Sequence, residues 1–513
     1  MVCEGLALLN LITDPWIPVK CKEGRRVIAP WQIAESDVLF PDWPRPDFNV
    51  ACLELLIGLV YMATPPSDKK DWKARTKPDP EGLRTALEAY APAFFLMGDG
   101  PRFLQDYDKL DGAPNPVDML FIDSAGGQTM RKNLDLMVHR HRYKCLTLPE
   151  AAMALYTLQD FAPAGGAGNR TSMRGGGPLV TILDPGKTLW DLVWLNVPFG
   201  QPSMMKDLPW MRPTRTSEKG KGPVRPNDGK DEKAPPFTVE AFFGMPRRLR
   251  LVGDEQGITG VIQKPYGTNY EGWQHPLSPY YRMKSGEMPL PRHPRAGRFG
   301  YRNWLGLLMQ TGDKTQREQG LASLALVLEE WRCRDRGEDD SSEEVSVLVA
   351  GWAMNNMSPR DFVYSAQPMR RLSDEALFRL ADFIEAAEMV ASMLHQALAS
   401  LLDKGEARDA QREEFYLKTE PAFYEHFRDI AEGGNPAEAW LGEMRDQALS
   451  QFDVLAKPGL SERGMKEMKA IAEARKFLSI ALHGHGKKTG ASLFQKLGLP
   501  VPTTKAQKKG QAA

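Results

Sequence analysis

An apolar stripe in the C-terminal part most constrains how this chain can fold. Its leucine, isoleucine and alanine residues recur at alternating spacings of three and four, which places them on one face of an α-helix. The stripe consists of Leu377, Leu380, Ile384, Ala387, Ala391, Leu394, Leu398 and Leu401. Ser373 is suited to cap the start of this helix, and Gly405 is suited to end it.

Three more helical patterns follow, near residues 411–431, 436–456 and 461–482. A helix with one apolar face must bury that face against neighbours, so we predict a four-helix bundle over residues 370–485. Residues 486–513 contain lysines and no acidic residue. This composition predicts a basic flexible tail.

Before residue 370 the patterns are mixed. Helical patterns cover residues 50–63, 81–96 and 147–159, and strand-like runs cover residues 8–20, 180–185 (a strand and turn), 248–252, 258–263 and 345–352. We therefore predict an α+β protein, with a large mixed α/β domain over residues 1–369 before the bundle. Residues 213–236 are polar and rich in proline and glycine, which predicts a mobile loop.

Charge and cysteine content limit the class of protein. Lysine and arginine total 66, as do aspartate and glutamate, which argues against a free-standing DNA-binding protein but leaves room for local basic patches. The five cysteines are widely spaced and form no CxxC pair, as is typical of reduced thiols. The first residues lack a basic stretch before an apolar one, and we find no uninterrupted apolar run of about 18 residues. We therefore expect a cytoplasmic protein without a signal peptide.

The stretch FAPAGGAGNRTSMRGGGPLV, residues 161–180, is called the glycine segment below. Arg170 and Arg174 lie between its two glycine clusters, and backbone N–H groups with arginine can grip a phosphate or lie along a duplex groove. It does not match a Walker A loop, because no lysine followed by serine or threonine is present. A helical pattern precedes it, which argues against a dinucleotide fingerprint. A flexible loop with a tight turn is the alternative.

Two further stretches are basic. Residues 128–145 carry Arg131, Lys132, Arg140, Arg142 and Lys144 with one acidic residue, a pattern that indicates nucleic-acid contact or a solvated basic surface. Residues 290–304 interleave arginines with Phe299, Tyr301 and Trp304, which indicates a surface that grips a nucleic-acid backbone.

Catalytic and metal signatures are weak. The sequence has no HExxH and no GxSxG motif, so we predict no catalytic residue. His139, His141 and Cys145 lack the partner pair that a zinc site needs.

Four stretches together resemble the CasA family, the large subunit of the type I-E CRISPR surveillance complex Cascade. They are LLNLITDPWIPV (8–19), the first part of the glycine segment (161–179), QKPYGTNYEGWQHPLSPY (263–280) and GWAMNNM (351–357). The resemblance covers nearly the whole chain, and the order of the motifs and the terminal bundle agree with it.

The resemblance implies a role without catalysis. Members of this family sit beside the 5′ handle of the guide RNA and contact backbone and small subunits of the complex. They read the PAM of double-stranded DNA from the minor groove, open the duplex so that an R-loop forms, and recruit a separate helicase-nuclease. In such systems the protein reads the PAM and base pairing reads the sequence.

The resemblance also implies site residues. Those expected to contact PAM-containing DNA are Gly165, Gly166, Ala167, Gly168, Asn169, Arg170, Lys264, Asn355, Asn356 and Met357, with Ser358 completing a wedge hairpin. Those expected to contact guide RNA and the adjacent subunit are Phe121, Ile122, Asp123, Arg131, Lys132, Arg140 and Arg142. Some members carry glutamine at the wedge tip, where this chain has Met357. Gly175–Gly177 are expected to serve a turn into the next strand.

One departure from the family concerns metal. Many members carry two CxxC pairs that bind zinc, at places where this chain reads LTLPE (146–150) and GDEQGIT (253–259). We therefore predict no metal and no cofactor. Two other functions stay open on the residues: a nucleotide-dependent enzyme that uses the glycine segment, and an architectural subunit that binds only RNA.

Overall fold

The computed structural model describes residues 9–124, 126, 130–133, 140–166, 168–226, 235–254, 256–310, 320–333 and 344–502. Contacts divide the chain into two units. Unit 1 comprises Met1–Arg298, Gly320–Asp335 and Glu344–Ala366, and unit 2 comprises Phe299–Gln319, Arg336–Glu343 and Gln367–Ala513. Small sheets combined with helices in unit 1, and a largely helical unit 2, confirm the α+β prediction.

Helices form much of unit 1. They are α1 (Pro46–Ala63), α2 (Lys69–Ala74), α3 (Pro80–Glu88), α4 (Leu148–Phe161), α5 (Leu189–Asn196) and α6 (Leu326–Cys333). Helix α1 starts with proline at its first position and is apolar on nearly every face, so it is buried on nearly every face. It is long and apolar enough to cross a membrane, but 89% of its length is buried inside the protein, as in the core helix of a globular domain.

The strands form four three-stranded sheets. They are β1 (Ile17–Cys21), β2 (Gly24–Ile28), β3 (Val38–Pro41), β4 (Asn115–Pro116), β5 (Val180–Asp184), β6 (Arg248–Asp254), β7 (Gly257–Lys264), β8 (Tyr280–Tyr281), β9 (Leu290–Pro291), β10 (Ala322–Ser323), β11 (Val345–Asn355) and β12 (Ser358–Met369). The strand orders are β2-β1-β3, β4-β7-β6, β10-β8-β9 and β12-β11-β5. The predicted strand over residues 8–20 is confirmed only from Ile17.

Two fixed elements anchor the glycine segment. Helix α4 packs against α1 and begins with a capping box in which Thr147 and Glu150 bond each other's backbone N–H. It delivers the chain to the segment at Phe161. Strand β5 leads away and pairs antiparallel with β11, with Val180 opposite Ala350. The segment therefore lies next to the β11–β12 hairpin.

The places where family members carry cysteine pairs lie side by side in this chain. Leu146 N donates to Ile258 O at 2.9 Å, and Ile258 N donates to Leu146 O at 2.8 Å. Two backbone hydrogen bonds thus join the segments that two CxxC pairs would otherwise link.

Unit 2 is built around a helical bundle. Its helices are α7 (Asp374–Ala397), α8 (Glu406–Ala431), α9 (Ala437–Ala456), α10 (Met465–Leu482) and α11 (Ala491–Lys496). Ser373 caps α7 by accepting from Ala376 N, as predicted. Gly405 does not end this helix; it adopts a φ of 138° at the start of α8.

The predicted tail from residue 486 is wrong in its first part. Gly486–Gly490 form a π-helical turn and α11 follows, with Leu493 fully buried. Lys496 Nζ contacts Glu385 Oε2 on α7 at 2.7 Å. The apolar side chains within this lysine-rich stretch supply the packing that its overall charge obscures. Residues 503–513 lie outside the described part of the chain.

The boundary between the two units falls within the basic stretch 290–304, after Arg298. Tyr301 and Trp304 are buried in the bundle, where Tyr301 stacks on Phe423 at 4.2 Å and Trp304 packs edge-on against Phe427 at 5.5 Å. The predicted use of these two rings on a nucleic-acid surface is therefore wrong. A pattern of alternating arginine and aromatic residues is therefore compatible with two structures. One is a nucleic-acid surface, and the other is a turn whose rings are buried in the core while its arginines are exposed.

Candidate nucleic-acid interface

A tight turn forms the first half of the glycine segment. Asn169 N donates to Gly166 O at 2.8 Å, and Gly165 N donates to Asn169 O at 3.2 Å. Gly166 and Gly168 have φ angles of 68° and 79°, in the left-handed region that favours glycine. Ala167, at the tip, lies outside the described residues.

The glycines of this turn differ in their surroundings. A Cβ added to Gly166 would meet nothing within 4 Å, so this residue faces open space with bare backbone. A Cβ on Gly165 would lie 2.6 Å from Arg247 Nη1, and one on Gly168 would lie 2.8 Å from the Tyr266 ring. Tyr266 N also donates to Gly168 O at 2.9 Å. Gly165 and Gly168 therefore let the turn pack on the protein, and Gly166 is free to meet a ligand.

The polar residues after the turn hold it in place. Asn169 Oδ1 accepts from Gln263 Nε2 at 3.1 Å. Arg170 Nε donates to Ser217 Oγ at 2.8 Å, and Ser217 N donates to Tyr266 O at 3.1 Å. The part of residues 213–236 around Ser217 is thus packed on the site, whereas the sequence predicted a mobile loop. Residues 227–234 lie outside the described part of that loop.

Arg174 is a core residue and not a ligand-facing one. It is 1% exposed, and its Nη2 lies 2.6 Å from Asp160 Oδ2 and 2.9 Å from Glu54 Oε2. Its Nη1 donates to Ser278 Oγ at 2.9 Å. The prediction that Arg174 grips a phosphate is therefore wrong. Arg174 serves a buried ion pair with residues distant in sequence, and only the tertiary structure shows this.

The same core contains a group of potential metal ligands. Ligand atoms of Glu54, Asp160 and His275 lie within 4.8 Å of one another. Burial raises the pKa of Glu54 well above its usual value despite Arg174, and burial followed by the Arg174 charge lowers the pKa of His275 well below its usual value. Arg174 already supplies the positive charge that a dication would bring. We therefore interpret the group as an ion-paired core.

Lys264 lies at the end of β7, directly after Gln263, which contacts the turn. It is half-buried, and β7 pairs it with Arg248 of β6. A Cβ on Gly112 would lie 3.8 Å from its Nζ. The contact of Gln263 with Asn169 thus brings the end of β7 to the glycine segment, and the Lys264 side chain extends toward Gly112.

The predicted wedge is a two-residue hairpin turn. Asn355 ends β11, Asn356 and Met357 have φ angles of 49° and 62°, and Ser358 starts β12. Positive φ at both central residues is typical of a type I′ turn. Asparagine tolerates this conformation, but methionine rarely adopts it. Such strain is typical of functional positions and is held here by the surrounding sheet.

Met357 is 45% exposed and lies beside the glycine segment. Gly176 lies between the hairpin tip and the start of the turn. A Cβ on Gly176 would lie 2.9 Å from Met357 Sδ and 3.0 Å from Pro163 Cα. The second glycine cluster therefore lets the hairpin approach the turn, in addition to leading into β5 as expected.

Three residues predicted to contact guide RNA are buried or half-buried. Phe121 and Ile122 are buried, and Phe121 stacks on Tyr143 at 4.2 Å. Asp123 pairs with Arg45 and Arg142, each at 3.1 Å. Burial raises the pKa of Asp123, but the ion pairs with Arg45 and Arg142 outweigh this effect, so the net result is a lowered pKa. In this structure the three residues lie beneath the basic stretch 128–145 and support it through Tyr143 and Arg142.

The basic residues of this segment face outward. Arg131, Lys132, Arg140 and Arg142 are exposed. Arg140 Nη2 donates to Met130 O at 2.9 Å. Residues 134–139, which include His139, lie outside the described part of the chain.

A cavity of about 390 Å³ connects the two predicted contact regions. One wall comes from lining residues between Asn115 and Ser124, with Gly126, Arg140 and His141, and the other comes from Gly165, Asn169, Arg247 and Gln263. Sequence reasoning missed Arg247, Gln263 and Tyr266 as site residues. Gln263 and Tyr266 lie in the stretch 263–280 that resembles the family, whereas Arg247 lies in no stretch that the sequence singled out. Their contacts with the turn form only in the folded chain.

Comparison with known proteins identifies the family and the fold. The family model for CRISPR-associated protein Cse1 matches residues 10–451. The Cse1 structure from Thermobifida fusca superposes with a TM-score of 0.71 at 18% identity, covering 96% of this chain and 98% of that one. CasA from Thermus thermophilus gives 0.69 at 18% identity, covering 92% and 99%. A chain of a CRISPR RNA-guided surveillance complex gives 0.63 at 16% identity, covering 92% and 99%. Since the family model spans most of its length, the chain belongs to the Cse1 family of CRISPR-associated proteins, as the resemblance predicted.

Proposed function

We propose that this protein is the non-catalytic large subunit of a type I-E CRISPR surveillance complex, and that it works in the cytoplasm. In this role it binds the 5′ handle of the guide RNA and the backbone and small subunits of Cascade. It reads the PAM in double-stranded DNA from the minor groove, opens the duplex to start an R-loop, and recruits the helicase-nuclease. Family membership supports the role in a surveillance complex.

The observation that carries the proposal is the bare backbone of Gly166, in a turn that contacts the end of β7, where Lys264 lies, and that adjoins the Met357 hairpin through Gly176. A minor groove is only about 6 Å wide, so a turn without a side chain can enter where a Cβ would clash. Lys264 can donate to the acceptors on the groove floor. Arg170 makes no ion pair with another described residue and so keeps its charge for a phosphate.

Two other functions have less support. A nucleotide-dependent enzyme would need a phosphate-binding lysine and a magnesium carboxylate at the turn, and Asp160, the acidic residue that precedes the turn in sequence, is paired with Arg174. A purely architectural RNA-binding subunit leaves the exposed Gly166 and the strained hairpin tip unexplained.

Gly166→Asn is expected to weaken binding of PAM-containing duplex to the assembled complex by about 10- to 100-fold. Gly166→Asp is expected to weaken it further, because its carboxylate repels phosphates. Asparagine and aspartate tolerate positive φ, and the space around Gly166 is empty, so folding and assembly should be preserved. Affinity is measured by electrophoretic mobility shift at fixed salt.

Gly186→Asn is the matched control for this experiment. Gly186 has a φ of 66° and also has nothing within 4 Å of an added Cβ, but it lies in the β5–α5 loop. It should bind duplex like the wild type. Normal PAM-duplex binding by the Gly166→Asp complex would refute groove reading by this turn.

Met357→Asn is expected to slow strand opening by about tenfold or more while leaving initial PAM binding largely intact. Asparagine suits the left-handed backbone but cannot act as an apolar wedge between base steps. Opening is followed by 2-aminopurine fluorescence next to the PAM. Met283→Asn, at another exposed methionine, serves as the control. Equal opening rates for the two variants would exclude the wedge role.

A further inference from the structure

A buried arginine without an acidic partner lies beneath the glycine turn. Arg247 is 7% exposed, and its Nη2 donates to Pro163 O. Its Nε has no hydrogen-bond partner, and no carboxylate of a described residue forms an ion pair with it. Burial, with no opposing charge to offset it, lowers the pKa of Arg247 to about 10.

Three other buried or half-buried arginines of unit 1 have carboxylate partners. Arg174 pairs with Glu54 and Asp160, Arg45 pairs with Asp47, and Arg248 pairs with Asp106 at 2.6 Å. An unpaired buried charge is strongly unfavourable, so proteins normally supply a partner or bind one. Arg250 on β6 also lacks a carboxylate partner among the described residues, but it donates to the backbone oxygens of Asp108 and Tyr107 and does not line the cavity. Arg247 differs from these arginines because it is unpaired within the described part of the chain and also lines the cavity.

Arg247 lines the 390 Å³ cavity, which is large enough for a small ligand. Arg140 and His141 line it from the other wall, with the side chains of Asn169 and Gln263 as further polar groups. The acidic residue among the lining side chains is Asp118, whose Oδ1 accepts from Tyr143 N at 2.9 Å. A guanidinium, hydrogen-bonding amides and a second arginine form a suitable environment for an oxyanion.

We propose that this cavity is an anion site in which Arg247 pairs with a phosphate group of bound nucleic acid. The source of the phosphate rests on the proposed function, whereas the anion site itself does not. Bound phosphate would neutralise Arg247 and, through the contacts of Arg247 with Pro163 and Gly165, fix the glycine turn. Occupancy of the cavity would then order the loop that meets the duplex.

Thermal unfolding of the isolated protein tests the site with inorganic phosphate as the probe, against chloride at matched ionic strength. We expect phosphate to raise the Tm of the wild type by about 2–4 °C at a concentration several times its Kd. Arg247→Met should abolish this increase, and Arg247→Lys should retain part of it. Arg250→Met is the matched control, because Arg250 is similarly buried on β6 but does not line the cavity.

In chloride, Arg247→Met should melt no lower than the wild type, because it removes an uncompensated charge. If Arg247 only supported the fold, Arg247→Met would instead lower the Tm by the same amount in phosphate and in chloride. An equal phosphate effect in wild type and Arg247→Met, or no phosphate-specific effect in the wild type, would overturn the proposal.

Two further measurements on the assembled complex distinguish the sources of the phosphate. If it belongs to the guide, Arg247→Met should reduce retention of guide RNA at least about fivefold. If it belongs to the target, the same variant should reduce duplex affinity with guide retention unchanged. A loss in neither measurement would overturn the nucleic-acid assignment. Normal duplex binding by Gly166→Asp with an Arg247-dependent phosphate effect would refute only the PAM-reading role.

Discussion

Arg174→Met is expected to lower the free energy of unfolding of unit 1 by about 3–5 kcal/mol. Methionine retains much of the side-chain volume but leaves Asp160 and Glu54 buried without their counter-charge. The orphaned carboxyl groups then keep the full cost of removal from water. Urea unfolding followed by circular dichroism and tryptophan fluorescence measures the change.

Two variants make this result specific. Arg225→Met breaks a more exposed pair with Glu271 and should cost no more than about 1 kcal/mol. Adding Asp160→Asn to Arg174→Met should recover part of the loss, because it removes a carboxylate that Arg174 no longer neutralises. If Arg174→Met costs no more than Arg225→Met, the ion-paired core does not stabilise this unit.

Gly177→Ala is expected to destabilise unit 1 by about 2–4 kcal/mol. Gly177 has a φ of 64°, and an added Cβ would lie 2.2 Å from Trp352 O and 3.0 Å from Met354 Cε. Because one of these atoms belongs to the backbone of β11, relief requires the strand or the turn to move. The same urea titration measures the loss.

Gly186→Ala separates backbone strain from the clash. Its φ of 66° nearly equals that of Gly177, but its added Cβ meets nothing within 4 Å. It should therefore show only the strain cost, about 1–2 kcal/mol. Equal losses for the two variants would show that close approach to β11 is unimportant. A larger loss for Gly177→Ala would show that β11, which carries the Met357 tip, is held against the glycine segment.

Much of the fold follows from local patterns. The apolar stripe predicted α7 and its serine cap, and the helical pattern over residues 50–63 predicted α1, because helix periodicity and capping are properties of neighbouring residues. The predictions of a flexible tail over residues 486–496 and of a nucleic-acid surface over residues 299–304 are wrong. The packing of both stretches depends on a few apolar side chains among many charged ones. The overall composition of a stretch does not show which of its side chains pack against the rest of the protein.

The candidate site was predictable only as separate pieces. The glycine turn, Lys264 and the hairpin were identified through family resemblance. Their arrangement depends on the contacts of Gln263 and Tyr266 with the turn and on the close approach of Gly176 to Met357. The two arginines of the glycine segment look equivalent in sequence. One is in the core with Asp160, and the other bonds Ser217 near the turn.

The sequence by itself determined the helical bundle, the α+β division and the identity of the turn as a run of glycines flanked by arginine. Only the tertiary structure decided that Gly166 faces open space while Gly165 and Gly168 are packed, and that Arg247 is buried without an acidic partner. The physical reason is that helix periodicity and backbone freedom are local properties. Burial and charge compensation depend on side chains that are distant in sequence and meet only when the chain has folded.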